Sequence, residues 1–377
     1  MQQGRTTSSH RHPGGGPRST RPEDGRRHNL ALVLQSLYDE PQISRADLSR
    51  RTGLTRVTIS DLVAQLIADE LIAETGTTTG ARPGKPATML SVRDDSRDII
   101  ALDLSAPQTI TGGVYSPRGQ ARHRAQRDLG TATGEAAYAA VLDLAQELIA
   151  TATRPILGIG VGSPGTVDRR GTVIAAPNLA WHGLPLQQRL IEALDLPVHV
   201  ENDANAAVLA EQAYAEGPAN LIRIQISRGV GAGLLIAGSV VIGTSAAAGE
   251  IGHVVIDHGG APCPCGKNGC LETWLSVPSL RHRMLTDEPT EVLAEAGRRL
   301  GMALSPVVGM LDLNDIVVGG PAELIDGHLL ANAQQVVTER THSDFRGEVR
   351  LRLSSLGDDA VLLGAVALVR RIHLGVS

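Results

Sequence analysis

Four side chains in one stretch have the types and spacing to hold a metal ion: His253, Cys263, Cys265 and Cys270. The last three are all the cysteines the chain contains. An oxidised, secreted protein scatters its cysteines to close long loops, whereas these cluster between positions 263 and 270. Cys263 and Cys265 are also too near in sequence for an easy mutual disulfide. Three thiolates plus one imidazole make the tetrahedral shell that Zn2+ favours, with His253 as the nearby fourth ligand. A filled shell leaves no position for a reactive water, so the zinc is expected to be structural.

A second set of residues can read nucleic acid. Thr55 can cap a helix whose first turns carry Arg56, Thr58 and Ser60, the part that meets base edges and phosphates in a major groove. Farther on, Arg82-Pro-Gly-Lys85-Pro puts two cations on a stiff, narrow loop, the shape that enters an AT-rich minor groove. Aromatic residues make up only 2% of the chain, which argues against single-strand binding because that needs stacking platforms. Double-stranded DNA is the expected partner.

The elements that would position this set follow from local pattern. Leu30, Val33, Leu34 and Leu37 fall on one helix face. Ser44 can cap a second helix with Asp47 as its capping-box partner, and Ile43 and Leu48 can form a hydrophobic staple. After the turn Thr52-Gly53-Leu54, Thr55 opens a third helix. Its apolar stripe is Ile59, Leu62, Val63, Leu66 and Ile67, with Arg56, Thr58, Ser60, Asp61 and Gln65 off it. Strand-like residues 71–73, a turn-rich stretch 76–86 and a returning strand 89–92 complete a winged helix-turn-helix, expected over residues 29–93. Residues 1–28 are rich in Arg, Gly, Pro, Ser and His and are expected to be a disordered basic tail. Charge agrees with this division: up to Arg97 there are 14 Arg and Lys against 11 Asp and Glu, whereas the rest of the chain has a net charge of −8.

The metal ligands belong to a different pattern. From Ile99 onward strands alternate with helices: strands at 99–104, 109–115, 156–161, 198–201, 222–226 and 232–236, and helices at 135–152 and from Asp203 to Glu216. Glycine-rich connections such as Ser163-Pro-Gly165 and Gly229-Val-Gly-Ala-Gly233 fall at strand ends, where α/β folds place ligands. The chain has 377 residues, 42% of them hydrophobic, which is ample for sizeable cores. It has no apolar run near the ~18 residues of a membrane span and no signal-peptide core. The expected location is therefore cytoplasmic, with no membrane partner.

Several motifs together carry a resemblance. Gly249-Glu-Ile-Gly-His253 precedes Cys263-Pro-Cys265-Gly-Lys-Asn-Gly-Cys270-Leu-Glu272. Ser163-Pro-Gly165, Ala176-Pro-Asn178-Leu…Trp181, Glu201-Asn-Asp203-Ala-Asn-Ala and Ile316-Val-Val-Gly-Gly320 occur in the matching order. This set resembles the ROK family (repressors, open reading frames and sugar kinases) over about Ile99 to Leu374, within a domain expected over residues 98–377. The preceding winged helix is similar to that of the family's repressor branch, the xylose-type repressors included. The resemblance implies an actin-like fold of two ribonuclease H-like lobes, a sugar or sugar phosphate in the cleft, and a homodimer or tetramer on a palindromic operator. It also implies that Asn202, Asp203, Glu250, His253 and Glu272, with Asn178, bind the sugar. Zinc would pin one ring nitrogen of His253 and leave the other for a sugar hydroxyl.

In the kinase branch Asp203 would be the general base. Phosphoryl transfer also needs a loop that cradles the phosphates. The family kinases use an Asp-x-Gly-x-Thr type of loop, whereas here the loop reads Asp103-Leu-Ser-Ala-Pro-Gln108, without the glycine or threonine and with Pro107 removing a donor. The expectation is a non-catalytic, sugar-responsive transcription regulator. The alternatives are an active ATP-dependent ROK sugar kinase with a fused DNA reader, and a constitutive DNA-binding protein whose kinase-like body only dimerises.

Overall fold

Capping chemistry sets the second and third helices of the computed structural model, which describes residues 22–77, 87–345 and 347–377. The chain divides into two compact units, Met1–Ser91 and Val92–Ser377. In the first, α1 (Pro22–Asp39) begins earlier than the apolar periodicity from Leu30 indicates, so residues 22–28 are helical rather than tail. The polar first turns are explained by Pro22 at the start, where its fixed φ suits a helix, and by Arg26, which reaches Gln65 at 2.6 Å. Next come β1 (Ile43–Ser44), α2 (Arg45–Thr52) and α3 (Arg56–Ala68). The Ser44 hydroxyl accepts from Asp47 N–H, Gly53 ends α2 at φ 72°, and the Thr55 hydroxyl accepts from Thr58 N–H. The strands β2 (Ile72–Thr77) and β3 (Thr88–Val92) join β1 in a sheet of order β1-β3-β2. Val33, Leu37, Leu48, Ile59, Val63 and Leu90 are fully buried together with Ile43 and Leu66, as the Ile43–Leu48 staple and the apolar stripe of α3 require.

The second unit repeats one topology. Its first sheet takes β4 (Asp98–Asp103), β5 (Thr109–Tyr115), β6 (Ala121–Asp128), β7 (Ile156–Ser163) and β11 (Val198–Asn202) in the order β11-β7-β4-β5-β6. Its second takes β12 (Leu221–Ile226), β13 (Val230–Ile236), β14 (Ser239–Val240), β15 (Asp315–Gly319) and β16 (Arg350–Leu353) in the order β14-β13-β12-β15-β16. In each, the first three strands form an antiparallel meander and the last two add in parallel beside the first. This duplicated, mixed α/β arrangement is the two-lobed actin-like fold. Between β7 and β11 lie a small sheet of β8 (Thr166–Val167), β9 (Val173–Ala176) and β10 (Trp181–Leu184), and the helix α5 (Leu186–Leu194). The helix α4 (Gly134–Thr151) packs its apolar face on the first sheet. On the second sheet α7 (Glu272–Leu275), α8 (Val277–Arg283), α9 (Pro289–Leu311), α10 (Ala322–Ile325) and α11 (His328–Thr341) share one core.

Two helices join the halves. The helix α6 (Asp203–Tyr214) leaves β11 and packs on β12 and β13, while α12 (Ala360–Leu374) packs on β4 and β7 and against α6. Their approach is so close that a Cβ on Gly364 would lie 1.9 Å from the Ala206 carbonyl oxygen, so only glycine fits there. A buried ion pair then fixes α6 to the second sheet. Glu211 accepts from Arg223 Nε at 3.2 Å and from Ser354 Oγ at 2.5 Å, with Arg352 3.5 Å away. Both Glu211 and Arg223 are removed from solvent, an arrangement that is tolerable only because each charge is paired and hydrogen-bonded. Thus Asp203 sits on a helix whose far end is anchored in the other half. Among the described residues no helix is long and apolar enough to cross a membrane.

Candidate functional site

The four sulfur and nitrogen ligands converge. One ligand atom from each of His253, Cys263, Cys265 and Cys270 lies within 4.8 Å of the others. The chain reaches this arrangement through two isolated bridges, Val255 with Cys270 and Pro262 with Asn268, and through Gly269 at φ 68°, where a side chain would strike the Asp257 carbonyl. Two of the edges also have the right length. His253 Nδ1 is 3.5 Å from Cys263 Sγ, and Cys265 Sγ is 3.6 Å from Cys270 Sγ. Bonds of ~2.3 Å to sulfur and ~2.05 Å to nitrogen in a tetrahedron give edges of about 3.6–3.8 Å. Burial pushes the Cys270 thiol up to about 12 and raises Cys263, whereas the Lys267 amide lowers Cys265. Three crowded thiolates need a cation to balance them. The donor set therefore fits a metal ion, and the cluster could hold one.

His253 turns Nδ1 towards Cys263, so the other ring nitrogen points elsewhere. His253 Nε2 lies 3.8 Å from Glu250 Oε2, and Glu250 is exposed. Glu272, at the start of α7, uses Oε2 to accept from Val230 N–H at 3.0 Å and so holds the turn after β12. Asn202 caps α6 through Oδ1 and donates to Gly165 O at 2.7 Å and to Asp203 Oδ1 at 2.9 Å. Both of these side chains therefore do structural work at the positions where sugar contacts were expected. Asn178 is exposed on the short 3-10 turn Pro177–Leu179.

Asp203 faces a cavity of about 780 Å3 whose wall also includes Asp103, Arg124, Gln225 and Asp359. Of the expected sugar ligands only Asp203 lines this cavity, which lies on its Asp103 side. Dense protein around the carboxyl, and after it the nearby Asp103, push Asp203 up to about 7. At that value the group divides between an acceptor-only carboxylate and a carboxylic acid that also donates, which matches hydroxyls that do both. Leu104 N–H is bound to Gly162 O, Ser105 N–H is bound to Asp103 Oδ1 at 2.8 Å, and Pro107 has no N–H. Arg124 is held in a bidentate pair by Asp359 at 2.6 and 2.7 Å. Sequence pattern did not reveal Arg124, because β6 is a polar edge strand without the apolar alternation that marks a strand.

In the N-terminal unit Arg56 and Ser60 lie on the exposed side of α3, and Thr55 is its cap. Thr58 is half-buried with its hydroxyl 2.9 Å from that of Thr55, and the Ser60 hydroxyl turns back to Arg56 O. Gln65 is engaged by Arg26. Arg82 and Lys85 lie outside the described residues, as do residues 1–21. Val57, 72% exposed, was not singled out by pattern, since a lone valine opposite the apolar stripe gives no signal.

A xylose repressor from Caldicellulosiruptor bescii is 27% identical to the chain over 385 residues, covering 90% of this chain and 95% of that protein. A glucokinase from Halalkalibacterium halodurans is 32% identical over 253 residues, covering 57% of this chain and 77% of that protein. The crystal structure of a ROK family transcriptional regulator, a homolog of the E. coli MLC protein, matches with a TM-score of 0.82 at 25% identity, covering 93% of this chain and 97% of that one. The sequence profile of the ROK family matches residues 100–372, from the first strand of the first sheet to the last helix, and the chain belongs to that family.

Proposed function

We propose that this chain is a sugar-responsive transcription repressor of carbohydrate genes that does not phosphorylate its ligand. One observation carries the reading. The likeness to a repressor spans 90% of the chain, which is impossible without the N-terminal unit of 91 residues, whereas the likeness to a glucokinase spans 57% and fits within the second unit. The consumed N–H groups at Leu104 and Ser105 and the Asp359-bound Arg124 support the absence of phosphoryl transfer.

In this reading the N-terminal unit is a winged helix-turn-helix. A homodimer or tetramer in the cytoplasm binds a palindromic double-stranded operator, with Arg56 on α3 and Arg82 and Lys85 on the wing. A sugar enters the cleft and meets Asn202, Asp203, Glu250, His253 and Glu272, with Asn178, while Asn202 and Glu272 also hold the backbone around it. His253, Cys263, Cys265 and Cys270 hold a structural zinc, which when bound fixes the ring so that Nε2 faces the sugar. Closing of the cleft around α6 and α12 would be the two-state element, and sugar shifts it by binding one arrangement better than the other.

The test has two arms. Duplexes selected from random DNA by the purified protein should contain a palindrome, and saturating D-xylose or D-glucose should change affinity for it. A coupled assay with the same sugars and ATP should show no turnover at ordinary kinase rates, roughly 1–100 per second. Turnover at those rates would replace the repressor reading with the kinase one.

A further inference from the structure

The exposed face of α3 holds chemistry for two kinds of base edge. Ile59, Leu62, Val63 and Leu66 are buried, and at ~100° per residue Val57 points almost opposite the centre of that buried face. Val57 is 72% exposed, and Asp61, one turn on, is exposed as well. Asp61 differs from its acidic neighbours. Asp39 and Glu40 pair with Arg51, Asp47 with Arg50 and Glu74 with Arg45, whereas Asp61 has no ion pair among the described residues. The hydroxyls of Thr58 and Ser60 are already bound within the unit, so the side chains left to reach outward from the first two turns are Arg56, Val57 and Asp61.

We infer that Val57 and Asp61 are the base-reading residues of this face, Val57 for the thymine methyl and Asp61 for the cytosine amino group. The inference rests on the DNA-binding reading above and deepens it. In a major groove the thymine methyl is the apolar feature a valine can cover. An unpaired carboxylate is repelled by phosphates and by the O6, N7 and O4 acceptors of guanine and thymine, and is matched by the cytosine N4 donor. Residues four apart on a helix have Cβ atoms ~5–6 Å apart, against 3.4 Å per base step along a strand, so the two bases are one or two steps apart in each half-site. Arg56 contacts the backbone or guanine at the edge of the same face.

The experiment uses the full-length protein and the duplex it selects from random DNA. Each thymine of a half-site is replaced in turn by deoxyuridine, which removes only the methyl group. At one thymine the parent should lose about fourfold in affinity, the worth of one buried methyl-sized group. Val57→Ala should bind the thymine duplex with that loss already present and be indifferent to deoxyuridine there. Asp61→Asn should lose preference for cytosine one or two steps away. Both residues are exposed, so thermal melting should match the parent. A parent indifferent to deoxyuridine at every thymine, or a Val57→Ala variant as sensitive as the parent, overturns the Val57 assignment. Unchanged cytosine preference in Asp61→Asn overturns the Asp61 assignment. Failure to select any sequence overturns the DNA-binding reading itself.

Discussion

His253 turns its two ring nitrogens to different tasks: Nδ1 lies 3.5 Å from Cys263 Sγ, and Nε2 lies 3.8 Å from the exposed carboxylate of Glu250. A metal ion bound by the cysteine cluster would thereby set the orientation of the His253–Glu250 pair. Orientation of this kind lets a distant structural element govern ligand binding without touching the ligand.

Protein prepared without chelator should therefore contain about one zinc per chain. Cys265→Ser should lose the metal and the response to sugar together, because the stretch from His253 to Glu272 would no longer be pinned. Elemental analysis alongside sugar-dependent thermal shift checks both. A variant without metal that still responds normally to sugar would separate the cluster from the cleft.

The raised Asp203 makes stability depend on pH. A carboxyl whose pKa rises from 3.8 to about 7 on folding contributes stability fully below its unfolded value and loses it as pH climbs through about 7. Asp203→Asn, which cannot ionise, should be more stable than the parent at pH 8 by up to ~4 kcal/mol, with the gap narrowing to roughly half of that at pH 5. Urea denaturation at both pH values measures it. A gap that does not change with pH would place the titration elsewhere.

Much of this site was legible in the residues, for local reasons. Ser44 with Asp47, Thr55 with Thr58, and the spacing of Cys263, Cys265 and Cys270 are short-range patterns with one main physical meaning each. Other features depend on distant partners. Asn202 and Glu272 stand where sugar contacts were expected, yet their side chains reach Gly165 and Val230, which only the folded chain brings near. The pairing of Arg124 with Asp359 spans 235 positions, and β6, which carries Arg124, lacks the apolar alternation that marks a strand. The start of α1 at Pro22 was hidden because its first turns carry no apolar stripe.

The Glu211–Arg223 pair gives a stability test of the anchor beneath Asp203. Glu211→Ala leaves the buried Arg223 guanidinium without its carboxylate and should lower unfolding stability by roughly 3–5 kcal/mol. Urea denaturation checks this. A loss below about 1 kcal/mol would mean that water or a neighbouring side chain replaces Glu211 as a partner.

The central claim is that the cleft carboxylates convert sugar binding into altered DNA affinity. Fluorescence anisotropy on the selected operator, with and without saturating sugar, measures this for the parent, Asp203→Ala and Glu250→Ala. The parent should change its operator affinity by about tenfold, within the usual range of coupling between sites. Both variants should bind operator like the sugar-free parent and show no change when sugar is added. Variants that respond like the parent would contradict the claim, as would a variant that stays folded but no longer binds operator.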